Sequence, residues 1–461
     1  MTADDSEMGT SRRTPRPEKA VRHWHLLPPL THGGEPLEGA ATLHEVPGPA
    51  GVLLWQALRD VLLWAETPPP DRGALFTPGS GRRRAEAIGS TELDAAIAGP
   101  LRTLATIVED PRGADAVAIA GACTALATWA RGIDAPATAL AFAQDAALAT
   151  PDDAAAAISV AHHARRAGDV ARAELWYRRA TGLARRSRDW GLYTEAFSGL
   201  GALSRDRGNL PAAHRFHLRA LRGARRGGLR RARAVALHDL FAVAVEAGRT
   251  REAERYAREA AAAYPAGSER LVALAHDIAY HWMEAGYFER ALAVFDSVSP
   301  RLRNEAERLW AEANRMRAAA GAGRVELAVA SAERVAARLV DPAVAPAAAS
   351  AQLEIARGEL QLGRLERALA AAERALRLAR ERREGRTAMS AEAVLEAVDA
   401  ARATKRRGAR STAAPRPLGR GGEALARHLI EALGASESHV EDSQKEEIAM
   451  QVPRQPGSGP R

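Results

Sequence analysis

AGYFERALAVFDSV, residues 285–298, sets the reading of this chain. Glycine stands at its second place, alanine five residues later at Ala291, and a compact apolar residue, Val298, seven further on. The same spacing recurs as AGDVARAELWYRRA (167–180), RGNLPAAHRFHLRA (207–220), AGRTREAERYAREA (247–260), AGRVELAVASAERV (322–335) and LGRLERALAAAERA (362–375). The glycines Gly168, Gly208, Gly248, Gly286, Gly323 and Gly363 lie 37–40 residues apart. An earlier, degenerate unit, IDAPATALAFAQDAALATP (133–151), carries Asp134 in the glycine place. Glycine suits a point where one helix stops and the chain reverses through positive φ. The alanine that follows falls early in a second helix, where a small side chain lets the two helices close up. A lone helix pair cannot bury its apolar face, whereas stacked pairs share one continuous core.

Composition agrees. Of 461 residues 46% are hydrophobic but only 5% aromatic, so alanine and leucine carry the apolar share. Both are strong helix formers. Runs of β-branched and aromatic residues that would mark strands are almost absent. The fold class is all-α, an α-solenoid of stacked antiparallel helix pairs.

The pattern divides the chain. Residues 1–20 are polar and are expected to be disordered. Residues 21–117 read as an irregular, mostly helical region or cap, with GVLLWQALRDVLLWAE (51–66) as its strongest helix and ELDAAIAGPLRTLATIVED helical on either side of Gly99-Pro100. Residues 118–384 hold the array, about seven units. Residues 385–434 contain C-terminal helices around an Arg/Pro-rich linker, including an amphipathic helix at 422–434, and 435–461 form a disordered tail. The N-terminal stretch is acidic where a signal peptide is basic. No 18-residue apolar run follows. Cys123 is the single cysteine, which excludes an intramolecular disulfide and points to the cytoplasm.

These units resemble tetratricopeptide repeats, whose basic unit is a 34-residue antiparallel helix pair. On that pattern Ala279 and Trp282 lie on a first helix, Gly286 at the turn, and Ala291, Phe295 and Val298 on the second helix. In the unit around Gly208 the equivalents are Gly201, Ala213, His217 and Ala220. His217 stands where a large apolar residue belongs, and neighbouring Phe216 is expected to take over its packing. The repeat-final proline is clear at Pro151 and approximate at Pro300. The long units resemble the superhelical sensor region of bacterial transcription activators. The resemblance implies a right-handed superhelix that binds partners.

Chemical motifs are scarce. His162 and His163 are adjacent, so on a helix they diverge by about 100° and do not converge on one metal. No HExxH, cysteine cluster, phosphate loop or nucleophile elbow occurs. Acids and arginines alternate as solvated helix charge. No catalytic residue, metal or cofactor is therefore expected. Counting back from the turn glycines places His162, Arg165, Arg166, Arg205, His238, His276, Tyr280, Trp310 and Arg317 on a groove lined by first helices, with Ser198, Met283 and Arg357 beside them. Arginine clamps carboxylates through a bidentate fork, so this lining suits an acidic or carboxylate-ended peptide.

The net charge is +8, and only Lys19, Lys405 and Lys445 among the 65 basic residues are lysine. Between Arg178 and Arg233 stand 15 arginines against Asp189, Glu195 and Asp206. Arg178, Arg179, Arg185, Arg186, Arg222, Arg225 and Arg226 fall on second helices or connectors and are expected to form a basic outer surface. The main expectation is a non-enzymatic protein- or peptide-binding scaffold, an adaptor or regulatory protein with no membrane partner. The alternatives are a transcription-related module contacting nucleic acid through the arginine-rich helices, and a hydrolase activity in the N-terminal region.

Overall fold

The computed structural model describes residues 39–406 and 420–434. The ends expected to be disordered and most of the Arg/Pro-rich linker lie outside the described residues. Twenty α-helices and no strands occur among those described. The chain forms two compact units, divided between Gly227 and Gly228. Each is a right-handed solenoid-like stack of antiparallel helix pairs.

The first unit opens with α1 (Thr42–Glu45), α2 (Pro49–Glu66), α3 (Ser80–Ser90) and α4 (Ala95–Glu109). Three pairs follow: α5 (Ala116–Gly132) with α6 (Pro136–Ala149), α7 (Ala154–Arg166) with α8 (Val170–Ser187), and α9 (Trp190–Asp206) with α10 (Leu210–Arg226). α4 runs through Gly99-Pro100 without a break. Pro100 lies in its second turn, so little of the hydrogen-bond ladder is lost there. The opening helices cap the first pair through specific polar ties. The Glu45 carboxylate accepts from the backbone N–H of Ala137 at 2.9 Å and of Thr138 at 2.7 Å. These are orphan donors at the start of α6, where the helix dipole favours an anion. Trp64 Nε1 donates to the Pro111 carbonyl at 2.8 Å, and Trp129 Nε1 to Asp94 at 3.0 Å.

The second unit contains α11 (Arg230–Glu246) with α12 (Thr250–Ala263), α13 (Glu269–Glu284) with α14 (Phe288–Val298), α15 (Glu305–Gly321) with α16 (Val325–Arg338), and α17 (Ala348–Gln361) with α18 (Leu365–Glu381). α19 (Gly385–Arg406) covers the last pair. α20 (Arg420–Gly434) instead returns to pack on α12, α13 and α14. Its amphipathic face buries Leu425, Leu429 and Leu433. The Gly267 N–H donates to the Ala432 carbonyl at 3.0 Å, and Arg301 Nε to the Leu433 carbonyl at 2.7 Å. At its start Gly422 sits so close to the Arg290 guanidinium that no β-carbon fits without displacing it.

The repeat physics holds at each unit. All six turn glycines have φ between 68° and 84°, and Asp134, in the degenerate unit, has φ 59°. The alanines five residues on, Ala173, Ala213, Ala253, Ala291, Ala328 and Ala368, are fully buried. In the unit around Gly208 the packing differs from expectation. His217 is itself buried, and Gly201 makes room for it, since a β-carbon there would lie 2.4 Å from the imidazole. Phe216 stays half-buried, its ring 6.1 Å from that of Phe197.

Candidate functional site

Within each unit the first helices of successive pairs pack on one another, α7 on α9 in the first, α13 on α15 and α15 on α17 in the second. Side chains from different repeats therefore meet on these faces. In the second unit they form one network. Arg317 of α15 reaches Glu284 of α13 at 2.5 Å and Glu354 of α17 at 2.7 Å. Arg357 donates to the other Glu354 oxygen at 2.8 Å and to the Tyr280 hydroxyl at 3.4 Å. Upstream, His238 of α11 pairs with Asp277 at 2.9 Å, and the other Asp277 oxygen is 3.6 Å from His276. His276 also contacts Asn314 at 3.1 Å, and its ring centroid lies 4.5 Å from that of Trp310. The Trp310 and Tyr280 rings are 6.0 Å apart.

Burial and charge then set the protonation states. Burial works to raise the pKa of Glu284, and hydrogen bonding and charge from Arg317, with Arg357, more than offset it, leaving it below the usual range. Burial likewise opposes ionisation of Arg317, and Glu354 and Glu284 overcome it, so its pKa rises. Burial and the neighbouring Glu354 and Glu284 push Tyr280 up to about 12. Asp277 is held well below an ordinary carboxylate: burial acts upward, and the His238 and His276 hydrogen bonds act more strongly downward. The two guanidiniums and two carboxylates of the Arg317 cluster cancel in charge.

Five expected groove residues, His238, His276, Tyr280, Trp310 and Arg317, thus come together, and Arg357 joins them. They do not form the open arginine clamp the sequence suggested. Arg317 and His276 are buried, 7% and 6% exposed, and Arg317 is committed to two internal carboxylates. Met283 points into the core at 1% exposure. The partly exposed members are Asp277, Tyr280, Glu284, Trp310 and Arg357, a mixed aromatic and polar strip. The carboxylates Asp277, Glu284 and Glu354 were missed. Aligning the repeats on their turn glycines would have found two of them: nine residues before the turn stand Asp277, Asn314 and Glu354, and six before it Tyr280, Arg317 and Arg357.

The first unit carries a smaller cluster. Arg165 of α7 pairs with Asp206 of α9 at 2.8 Å, and His162 lies 3.8 Å from Glu195. His162 packs edge-on against Tyr177, whose ring is admitted by Gly199. Burial and Arg165 lower the His162 pKa, and burial with Arg131, His162 and Arg166 brings His163 to about 4. Arg166 is exposed and Arg205 and Ser198 are half-buried. Among the described residues no group of three His, Cys, Asp or Glu side chains is placed to hold a metal, and no helix is long and apolar enough to cross a membrane.

The basic outer set splits. Arg179 is buried, 4% exposed, with its guanidinium on the Pro151 carbonyl, because it falls on the packed side of α8. Arg178 pairs with Glu174 at 2.7 Å and Arg186 with Asp152 at 2.5 Å. Arg185, Arg222, Arg225 and Arg226 are exposed, and Arg226 stacks over Trp190 at 4.4 Å.

No family model and no curated protein matches this chain. Several solved structures are similar in part. A Rap protein complexed with competence and sporulation factor is 13% identical, covering 74% of this chain and 98% of its own, with a TM-score of 0.43. The apo form of RapI is 12% identical, covering 56% and 96%, with a TM-score of 0.44. A putative kinesin light chain from Podosopora anserina with TPR-like repeats is 16% identical, covering 41% and 95%, with a TM-score of 0.36. All three likenesses are partial, with TM-scores below 0.5.

Proposed function

We propose that this chain is a non-enzymatic, cytoplasmic scaffold that binds a protein or peptide on the first-helix face of its second unit. The observation that carries this reading is the strip of Asp277, Tyr280, Glu284, Trp310 and Arg357, contributed by three successive repeats and anchored beneath by buried Arg317 and Glu354. A tryptophan and a tyrosine offer apolar area with few rotatable bonds, and fixed carboxylates and a guanidinium offer directional hydrogen bonds. Tryptophan, tyrosine and arginine are the residues that carry most of the binding energy at the centres of recognition sites. Because the underlying pairs neutralise each other, the strip favours a peptide of mixed character over a purely acidic one.

Selection of peptides from a random display library against the full chain tests this. Peptides recovered on the intact protein are expected to lose binding to Trp310→Ala and to Arg357→Gln, with helix content unchanged by circular dichroism. Equal binding to both folded variants would move the seat off this face.

A further inference from the structure

α10 differs from every other second helix of the array in its charge. α8 carries Glu174, α12 carries Glu252, Glu254 and Glu259, α14 carries Glu289 and Asp296, and α16 and α18 are likewise acid-bearing. α10, LPAAHRFHLRALRGARR, has five arginines and no acid. From residue 212 to residue 226 every exposed position is arginine. Arg215, Arg219, Arg222 and Arg226 follow one another at spacings of four, three and four, which puts them on a single face. At 1.5 Å per residue that face runs about 16 Å. None of the four pairs with a carboxylate among the described residues, in contrast to Arg178 and Arg186 on α8. Two are braced from behind. The Arg219 guanidinium lies 5.4 Å from the Phe197 ring and that of Arg226 lies 4.4 Å from Trp190. Stacking of this kind holds the fork in place while its N–H groups stay available.

We infer that this face of α10 binds the phosphodiester backbone of a nucleic acid. A row of solvent-facing guanidiniums is complementary to a partner with closely and regularly spaced anions. Duplex DNA presents one charge per about 1.7 Å of its axis, so a row of about 16 Å meets more phosphates than it has arginines. An acidic protein surface is the poorer match. Protein interfaces centre on an apolar core depleted of charge, and every fully exposed side chain on this face is an arginine, with the apolar Phe216 and Leu218 beside them only half-buried. Backbone contacts of this type position a nucleic acid without reading its sequence. α10 belongs to the first unit, and the strip on α13, α15 and α17 belongs to the second.

Fluorescence anisotropy with the full chain tests the inference, using a random 20-base-pair duplex, a 20-nucleotide single strand and poly-glutamate as probes. Four contacts give a slope of about −3.6 in log affinity against log salt for duplex, and about −2.8 for a single strand. Arg215→Gln/Arg222→Gln removes two solvent-facing contacts and is expected to halve that slope. Arg251→Gln/Arg258→Gln on α12 removes the same formal charge and is expected to leave it unchanged. Absence of salt-dependent nucleic-acid binding, an unaltered slope in the α10 variant, or equal losses in both variants would overturn the inference. Tighter binding of poly-glutamate than of either nucleic acid would also overturn it and assign the face to an acidic protein.

Discussion

Arg317 and Glu354 form a buried ion pair at 2.7 Å, the arginine 7% and the glutamate 3% exposed, joining α15 to α17. Glu284, held by the same Nη1 at 2.5 Å, extends the tie to α13. Removing Arg317 leaves Glu284 and buried Glu354 to share Arg357 alone, whereas removing Arg317 and Glu354 together leaves one guanidinium facing one carboxylate. Arg317→Met is therefore expected to cost about 3–5 kcal/mol, and Arg317→Met/Glu354→Leu distinctly less. Urea denaturation of the two variants checks this, and a double variant as unstable as the single would contradict it.

Ala291 is fully buried where α14 closes on its partner, and Glu289, two residues earlier, is exposed and pairs with Arg324 at 3.2 Å. Ala291→Leu is expected to cost about 1–3 kcal/mol by overpacking. Glu289→Leu breaks only a surface pair, worth at most about 1 kcal/mol. Thermal melts of both separate the outcomes, and equal losses would show that the small residue is not required there.

The seat of α20 rests on Leu425, Leu429 and Leu433 with two hydrogen bonds at its C-terminal end. Leu429 is fully buried, so Leu429→Ala is expected to cost this seat about 2–5 kcal/mol. Hydrogen exchange should show the amides of 420–434 losing protection while those of α15 and α17 keep theirs. Uniform loss across both would mean that α20 and the repeats open as one.

His163 supplies a pH dependence. Its folded pKa is lowered from 6.5 to about 4, first by burial and then by Arg131, His162 and Arg166. Between those values the unfolded chain binds a proton that the folded chain does not, so stability falls as pH drops from 6.5 towards 4. Depressed Asp277 and Glu284 act in the same direction at lower pH. His163→Gln is expected to flatten the stability profile between pH 6.5 and 4 without changing its lower limb. An unchanged slope in that window would assign the dependence elsewhere.

What was legible in the sequence was what is local. Gly168 through Gly363, and Asp134 in place of glycine, announce backbone turns that each require only their own residue to take positive φ. The buried alanines follow from the same register. His217 was harder, because its place is opened by Gly201 on the preceding helix, a complementarity between two positions rather than a property of either. Arg179 departs from the expected outer surface because membership of a second helix does not fix the side a residue faces, and Trp176, Ala180 and Leu183 mark its side of α8 as packed. The Arg317 cluster pairs residues 33 and 37 positions apart, and no single repeat contains enough of it to be recognised. The contrast between Arg215, Arg219, Arg222 and Arg226 of α10, which meet no carboxylate among the described residues, and the ion-paired Arg178 and Arg186 of α8 is likewise invisible until acids on neighbouring elements are placed.

The measurement that bears most directly on the binding face is calorimetric titration of a selected peptide into the intact protein, Trp310→Ala and Arg165→Ala/Arg205→Ala. Truncating an aromatic at the centre of a recognition site typically costs at least about 2 kcal/mol, a loss of about thirtyfold in affinity. The expected result is that loss for Trp310→Ala, with the first-unit double variant within about threefold of the intact chain. The opposite pattern, unchanged affinity in folded Trp310→Ala and a large loss in Arg165→Ala/Arg205→Ala, would contradict the assignment and place the peptide on α7 and α9.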